Sequence, residues 1–72
     1  MSRLPMMSGD DLVRALRRAG YEWDHTEGSH MILRNAAGRR VSVPRHRELG
    51  RGIVRKLIHQ AGLTREEFMG LL

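Results

Sequence analysis

The spacing of apolar residues predicts a helix near the start of the chain. Apolar side chains recur at helical spacing from Leu12 to Ala19, and arginines fall on or beside the opposite face. Ser8 precedes this run as an N-cap, and Gly20 follows it as a left-handed stop. The pattern therefore predicts an amphipathic helix over residues 8–19.

From Tyr21 the pattern changes to a period of two, which is typical of strands. Tyr21, Trp23 and His25 alternate with acidic residues, as in a half-buried strand where alternate side chains share a face. The turn TEGS separates this strand from a second one over residues 30–34. The turn NAAG then leads to a third strand over residues 39–44.

Alternation along the second and third strands predicts which side chains enter the core. The residues expected to face the helices are Met31, Leu33, Val41 and Val43. The residues expected on the outer face are His30, Ile32, Arg34, Arg40 and Ser42. The outer face would then combine an imidazole with several guanidinium groups.

Two further helices are predicted in the last third of the chain. Apolar residues at i, i+3, i+4 and i+7 predict a helix over residues 52–61, and Thr64 with Glu67 forms a capping box for a short C-terminal helix. The order α-β-β-β-α predicts an α+β domain, a three-stranded antiparallel sheet with helices packed on one face. Trp23 and Tyr21 are expected to pack in the core or at the sheet edge, and the alternative is that they stack on bases.

The length and composition narrow the class of protein. The 72 residues are expected to form a single domain with a thin core, with residues 1–5 as a flexible tail. Cysteine is missing from the sequence, which excludes disulfides and thiolate metal sites. No segment resembles a signal peptide or a membrane span. We therefore expect a cytoplasmic protein that does not engage a membrane.

Positive charge is concentrated in one part of the chain. Thirteen Lys and Arg residues stand against eight Asp and Glu, and seven of the thirteen lie between Arg39 and Lys56 with one acid, Glu48. All but one of the thirteen are arginine, whose planar fork of donors suits phosphate oxygens. This bias favours RNA or another nucleic acid as the partner. One alternative is that the partner is an acidic protein that imitates a nucleic acid. The other is that the basic residues form a solvated surface that keeps the protein soluble.

His30 is the strongest candidate for a catalytic residue. It follows Gly28 and Ser29 in a turn, and Arg34 and Arg40 on the same predicted face could hold a phosphodiester against it. Histidine accepts and donates protons near neutral pH, as general acid–base catalysis requires. The structural alternative is a partly exposed, hydrogen-bonded residue at the start of a strand.

Other chemistry has weaker support in the sequence. The four histidines are His25, His30, His46 and His59. None pairs with another at i, i+4 spacing and no cysteine assists them, so neither a metal nor another cofactor is expected. No nucleophilic triad is visible. His46, on the loop VPRHRELG, is either a second phosphate-site residue or an ordinary polar loop residue.

Four segments, in this order, resemble the HicA toxins of toxin–antitoxin systems. They are LPMMSGDDLVRALRRAGYEW, GSH, GRRVSVPRH and RGIVRKLIHQAGLTREEF. The likeness covers nearly the whole chain, about Leu4 to Leu72. One departure lies at the start of the second helix, where the family often reads G-T-L and this chain has Gly52, Ile53 and Val54. A threonine there would cap the helix or touch phosphate.

The resemblance implies a fold, an activity and a partner. The fold would be similar to a double-stranded RNA-binding domain, and the activity would be metal-independent cleavage of mRNA that arrests translation. His30 of the GSH turn would be catalytic, and a HicB-type antitoxin would cover the His30 face. The residues expected to bind RNA are Gly28, Ser29, Arg34, Arg40, Arg45, His46, Arg51, Arg55 and Lys56. The alternatives are an RNA-binding domain without catalysis and a protein-interaction domain.

Overall fold

In the computed structural model, which describes residues 3–72, three helices and three strands follow the predicted order. The elements are α1 (Gly9–Arg18), β1 (Glu22–Glu27), β2 (His30–Arg34), β3 (Arg40–Pro44), α2 (Arg51–Gln60) and α3 (Arg65–Met69). The strands form one antiparallel sheet in the order β1-β2-β3. The predicted α+β architecture is therefore confirmed.

Local capping sets the ends of the first and last helices. The Ser8 hydroxyl accepts a hydrogen bond from the Asp11 backbone N–H at 3.0 Å, as an N-cap does. At α3 the predicted capping box is present, because Thr64 and Glu67 exchange side-chain to backbone hydrogen bonds at 2.8 and 3.0 Å. By contrast α2 starts after Gly50, with no side-chain cap and no acid in its first turn.

The core lies between the inner face of the sheet and the helices. The four strand residues predicted to face inward, Met31, Leu33, Val41 and Val43, are all buried in one cluster with side chains of α1 and α2. Phe68 of α3 and Tyr21 join this cluster, and the Tyr21 hydroxyl donates to the Ala61 carbonyl at 2.9 Å. The opposite face of the sheet carries no helix from residues 3–72.

A β-bulge in β1 breaks the predicted alternation of that strand. Trp23 pairs with Leu33 but His25 pairs with Ile32, so Asp24 is an extra residue in β1. His25 therefore lies on the outer face of the sheet and Trp23 on the inner side, at the edge. The prediction that Trp23 and His25 share a face is wrong. Trp23 also packs little, since it is 56% exposed.

The segment before α1 is tied to the loop that joins β3 to α2. Leu4 is buried in the core, and its carbonyl accepts a hydrogen bond from the Arg51 Nε at 3.0 Å. The predicted flexible tail over residues 1–5 is therefore wrong at Leu4, because the side chain finds apolar neighbours there. Residues 1–2 lie outside the described part of the chain. Met7 and Leu49 form an isolated antiparallel bridge that holds the two segments together.

Candidate nucleic-acid interface

The GSH turn puts His30 at the first position of the central strand. Gly28 has a φ of +57°, which suits the first central position of a two-residue hairpin turn. Residues other than glycine adopt this φ only at a cost in conformational energy. Ser29 completes the turn, and its carbonyl accepts a hydrogen bond from the Arg45 N–H at 2.7 Å. The turn thereby presents the His30 side chain, which is exposed, at one end of the sheet.

His30 has two neighbours across the strands. Its partner on β1 is Glu27 and its partner on β3 is Pro44. Side chains opposite each other in an antiparallel pair have Cβ atoms about 4.5–5.5 Å apart, so a carboxylate lies beside the imidazole. Because the outer face is free of helices within residues 3–72, a large ligand can reach the His30 ring.

A network of five charged side chains occupies the outer face next to His30. The His25 ring lies between two carboxylates, with Nδ1 2.6 Å from Asp24 Oδ2 and Nε2 2.8 Å from Glu27 Oε2. Arg34 Nε lies 3.7 Å from Asp24 Oδ2, and Arg40 Nη2 lies 3.7 Å from Glu27 Oε2. The network joins all three strands of the sheet.

These contacts shift the ionisation of the acidic and imidazole groups in the network. The hydrogen bonds that the His25 ring donates to the Glu27 and Asp24 carboxylates raise the pKa of His25 above its ordinary value. The same hydrogen bonds lower the pKa of both carboxyl groups, with smaller contributions from nearby arginines. The imidazolium form of His25 is thus favoured, and it offsets the two carboxylates on this face.

The network also accounts for the burial of Ile32 on the outer face. Ile32 is only 3% exposed although it is not part of the helix-facing cluster. It lies on β2 between His25 of β1 and Ser42 of β3. The pair formed by Glu27 and Arg40 joins the two outer strands, so these side chains lie across β2 and cover the isoleucine.

The structure changes the predicted role of two arginines on the sheet. Arg34 is four residues from His30 along β2, which is about 13 Å at the rise of a strand. Arg34 and Arg40 are both held by carboxylates of β1. A phosphate would have to draw these two arginines from those carboxylates before they could hold it near His30, and their role in binding RNA stays a prediction.

Arg45 and His46 lie at the same end of the sheet as His30. The Arg45 backbone continues the ladder opposite Ser29, and the His46 carbonyl accepts a hydrogen bond from the Gly9 N–H at 2.9 Å. Both side chains are exposed. The GSH turn, this loop and the start of α1 therefore meet at one end of the domain.

The remaining predicted RNA-binding residues lie on α2. Arg51 and Arg55 line a groove of about 630 Å³ between the N-terminal segment, α2 and α3. Lys56 is exposed on α2 but does not line this groove. The structure thus divides the predicted set into the sheet face, the GSH end and the groove.

The carboxylates of the outer face were not predicted from the sequence. Glu27 is two residues after His25 in the strand, so their shared face could have been recognised from the sequence. Asp24 could not, because only the bulge turns it to the same side as His25. Within residues 3–72, no group of three side chains is arranged to hold a metal ion.

The sequence also matches the model of a known protein family. Residues 9–63, more than half of the chain, match the sequence model described as the HicA toxin of bacterial toxin–antitoxin systems. The chain belongs to the HicA toxin family. It is therefore the toxin of a toxin–antitoxin pair, and an antitoxin is its implied partner. No curated protein matches the chain. No helix within residues 3–72 of this HicA protein is long and apolar enough to cross a membrane.

Proposed function

We propose that this HicA toxin is a metal-independent endoribonuclease that cuts mRNA and thereby arrests translation. His30 is the general acid or base of the reaction. The observation that carries the proposal is the exposed imidazole at the first position of β2, which Gly28 and Ser29 present on a sheet face that no helix of residues 3–72 covers.

The cleavage uses the nucleophile that RNA itself provides. The 2′-hydroxyl loses its proton to a base, its oxygen bonds to the adjacent phosphorus, and the bond from phosphorus to the 5′-oxygen breaks. An acid protonates the leaving 5′-oxygen, so the products are a 2′,3′-cyclic phosphate and a 5′-hydroxyl. General acid–base catalysis of this kind contributes about 10²- to 10⁴-fold in rate.

Positive groups near His30 assist by holding the phosphate. Arg45 and His46 lie on the loop next to the GSH turn, and the backbone contact between Arg45 and Ser29 fixes that loop against the turn. A guanidinium group donates several hydrogen bonds to phosphate oxygens and stabilises the negative charge of the transition state. Arg34 and Arg40 contact RNA farther along the sheet, where Asp24 and Glu27 now hold them.

The antitoxin acts by covering this face. We assign a HicB-type protein as the partner, with an acidic surface placed over His30. Complementary charge brings such a partner rapidly to a basic toxin, whose formal charge is +5. Burial of the imidazole then excludes RNA without any change in the toxin fold.

The test compares His30→Asn with the parent protein on single-stranded RNA in the presence of a chelator. Because His30 is exposed, its replacement should change the free energy of unfolding by less than about 0.5 kcal/mol. RNA affinity should be retained, while the cleavage rate at saturating RNA should fall by about 10²-fold or more. Gln60→Asn, an exposed change on α2 that does not line the groove, is the control and should leave that rate unchanged.

The outcomes separate the proposed enzyme from the alternatives. Cleavage by His30→Asn at the parent rate would contradict the assignment of His30. Tight binding of RNA by the parent protein without any product would instead indicate an RNA-binding domain that has no catalytic activity. Cleavage that stops when the chelator is added would contradict a mechanism without a metal.

A further inference from the structure

The groove between the N-terminal segment, α2 and α3 is a concave feature that the cleavage site does not use. Its floor is apolar, since Leu4 and Ile58 line it and both are almost completely buried. Its rim carries arginines from all three walls, namely Arg3, Arg51, Arg55 and Arg65. No Asp or Glu is among the described residues that line it.

None of the guanidinium groups that line the groove forms an ion pair with an Asp or Glu of residues 3–72. Within residues 3–72, the arginines that form ion pairs are Arg14, Arg34 and Arg40, and none of these lines the groove. Arg51 instead donates its Nε–H to a backbone carbonyl of the N-terminal segment, which fixes the orientation of its planar group. Concentrated positive charge of this kind attracts a polyanion, and arginine matches phosphate by its paired donors.

A basic loop connects this groove to the cleavage site. Arg45 lies opposite the GSH turn, and Arg51, six residues later, lies at the groove. An extended chain of six residues spans at most about 20 Å, so one strand of RNA is long enough to reach both places. Arg47 is exposed between them.

We propose that the groove is a second phosphate site, which anchors a stretch of the RNA strand away from the scissile bond. This inference rests on the proposed function only in taking RNA as the ligand. Two residues of the groove, Arg3 and Arg65, lie outside residues 9–63 that match the family model. It contributes to binding and not to the chemical step.

Gly52 provides a substitution that tests the groove without harming the fold. It lines the groove near the start of α2, and a Cβ at this position meets no atom within 4 Å. Gly52→Glu introduces a negative charge into the groove. The substitution should not destabilise the helix, because an acidic residue is favourable near a helix N-terminus and glutamate has a higher helix propensity than glycine. Gly52→Gln is the matched control, since it has the same size without the charge.

Binding is measured in a His30→Ala background, so that the RNA is not consumed. The probe is single-stranded RNA of about 16 nucleotides, the upper end of the site sizes of small single-strand-binding domains. Gly52→Glu should raise the Kd by about tenfold relative to Gly52→Gln, and its Tm should not fall. Arg55→Gln should lower the slope of log Kd against log salt by about 0.7, the value for one phosphate contact. Arg17→Gln, on the exposed side of α1, is its control.

Kinetics of the active protein distinguish anchoring from chemistry. Arg55→Gln should raise the KM for the long RNA and leave kcat unchanged, and it should have no effect on a dinucleotide that cannot reach the groove. If Gly52→Glu and Gly52→Gln bind RNA equally well, the proposal is wrong. It is equally wrong if Gly52→Glu weakens binding of poly-glutamate but not of RNA, because the groove would then be a site for an acidic protein.

Failure of this inference can be told apart from failure of the proposed function. Charge-dependent binding in the groove without cleavage by the parent protein would support the groove and contradict the nuclease. If the parent protein cleaves RNA and the groove variants behave like their controls, the nuclease is supported and the groove site is contradicted.

Discussion

The contact of α1 with the end of β3 makes Gly9→Ala a sharp test of the fold next to His30. Gly9 is the first residue of α1, and a Cβ built on it would overlap the carbonyl oxygen of Pro44. Pro44 is the β3 partner of His30, so this contact supports the strand end opposite the imidazole. The Gly9 N–H also donates to the His46 carbonyl at 2.9 Å.

The magnitude follows from the movement that the methyl group requires. Carbon–oxygen contacts ordinarily measure about 3.3–3.6 Å, so α1 must shift from the backbone of Pro44 by a distance on the order of 1 Å. Overpacking of this kind costs about 1–3 kcal/mol, and weakening the hydrogen bond to His46 adds about 0.5–1.5 kcal/mol. The greater helix propensity of alanine offsets at most about 1 kcal/mol. The net loss of stability is therefore about 0.5–4.5 kcal/mol.

Thermal unfolding measures this loss directly. For a domain of this size, 1 kcal/mol corresponds to a Tm change of about 4–8 °C, so Gly9→Ala should unfold at a clearly lower temperature than the parent. Gly52→Ala is the matched control, because its Cβ enters open space within α2 and the substitution should raise stability by up to about 1 kcal/mol. If Gly9→Ala unfolds at or above the parent Tm, the close approach of α1 to Pro44 is refuted.

Two further predictions concern Tyr21 and the charged network. Tyr21→Phe should cost about 1–3 kcal/mol in chemical denaturation, because it leaves the Ala61 carbonyl buried without its donor; an unchanged midpoint would contradict this. In the network, His25 contributes to the free energy of unfolding below its unfolded pKa of 6.5, and this contribution is lost as pH rises through the raised folded pKa. Asp24 and Glu27 contribute to the free energy of unfolding above their unfolded pKa values of 3.8 and 4.5. These contributions are lost as pH falls through the lowered pKa values of the folded protein. The Tm difference between the parent and His25→Gln should thus be largest between pH 4.5 and 6.5, and a difference independent of pH would refute the network.

The charged network has a consequence for how RNA meets the sheet. Glu27 places negative charge beside His30 and Asp24 adds negative charge farther along the sheet, and His25, Arg34 and Arg40 offset both carboxylates. The sheet face is therefore close to neutral, whereas the loop and the groove are strongly basic. We expect RNA affinity to come mainly from the loop and the groove, with His30 supplying chemistry at the edge of that surface.

Much of the candidate site could be predicted from the sequence because its signals are local. The glycine of the GSH turn, the alternation along β2 and the start of that strand together specify that His30 is exposed on the outer face. The partners of the arginines could not be predicted in the same way. The contact of Arg34 with Asp24 depends on a bulge on another strand, and sequence alternation gives no sign of one.

The sequence by itself determined the order of elements, the caps of α1 and α3, and the four strand residues that enter the core. These features depend on side-chain periodicity and on hydrogen bonds between residues three or four positions apart, and both can be recognised in the sequence alone. Only the tertiary structure decided that Leu4 packs beside Arg51, that Gly9 must approach Pro44, and that α3 closes a basic groove. Each of those contacts joins residues far apart in the chain, so each exists only after the elements have packed.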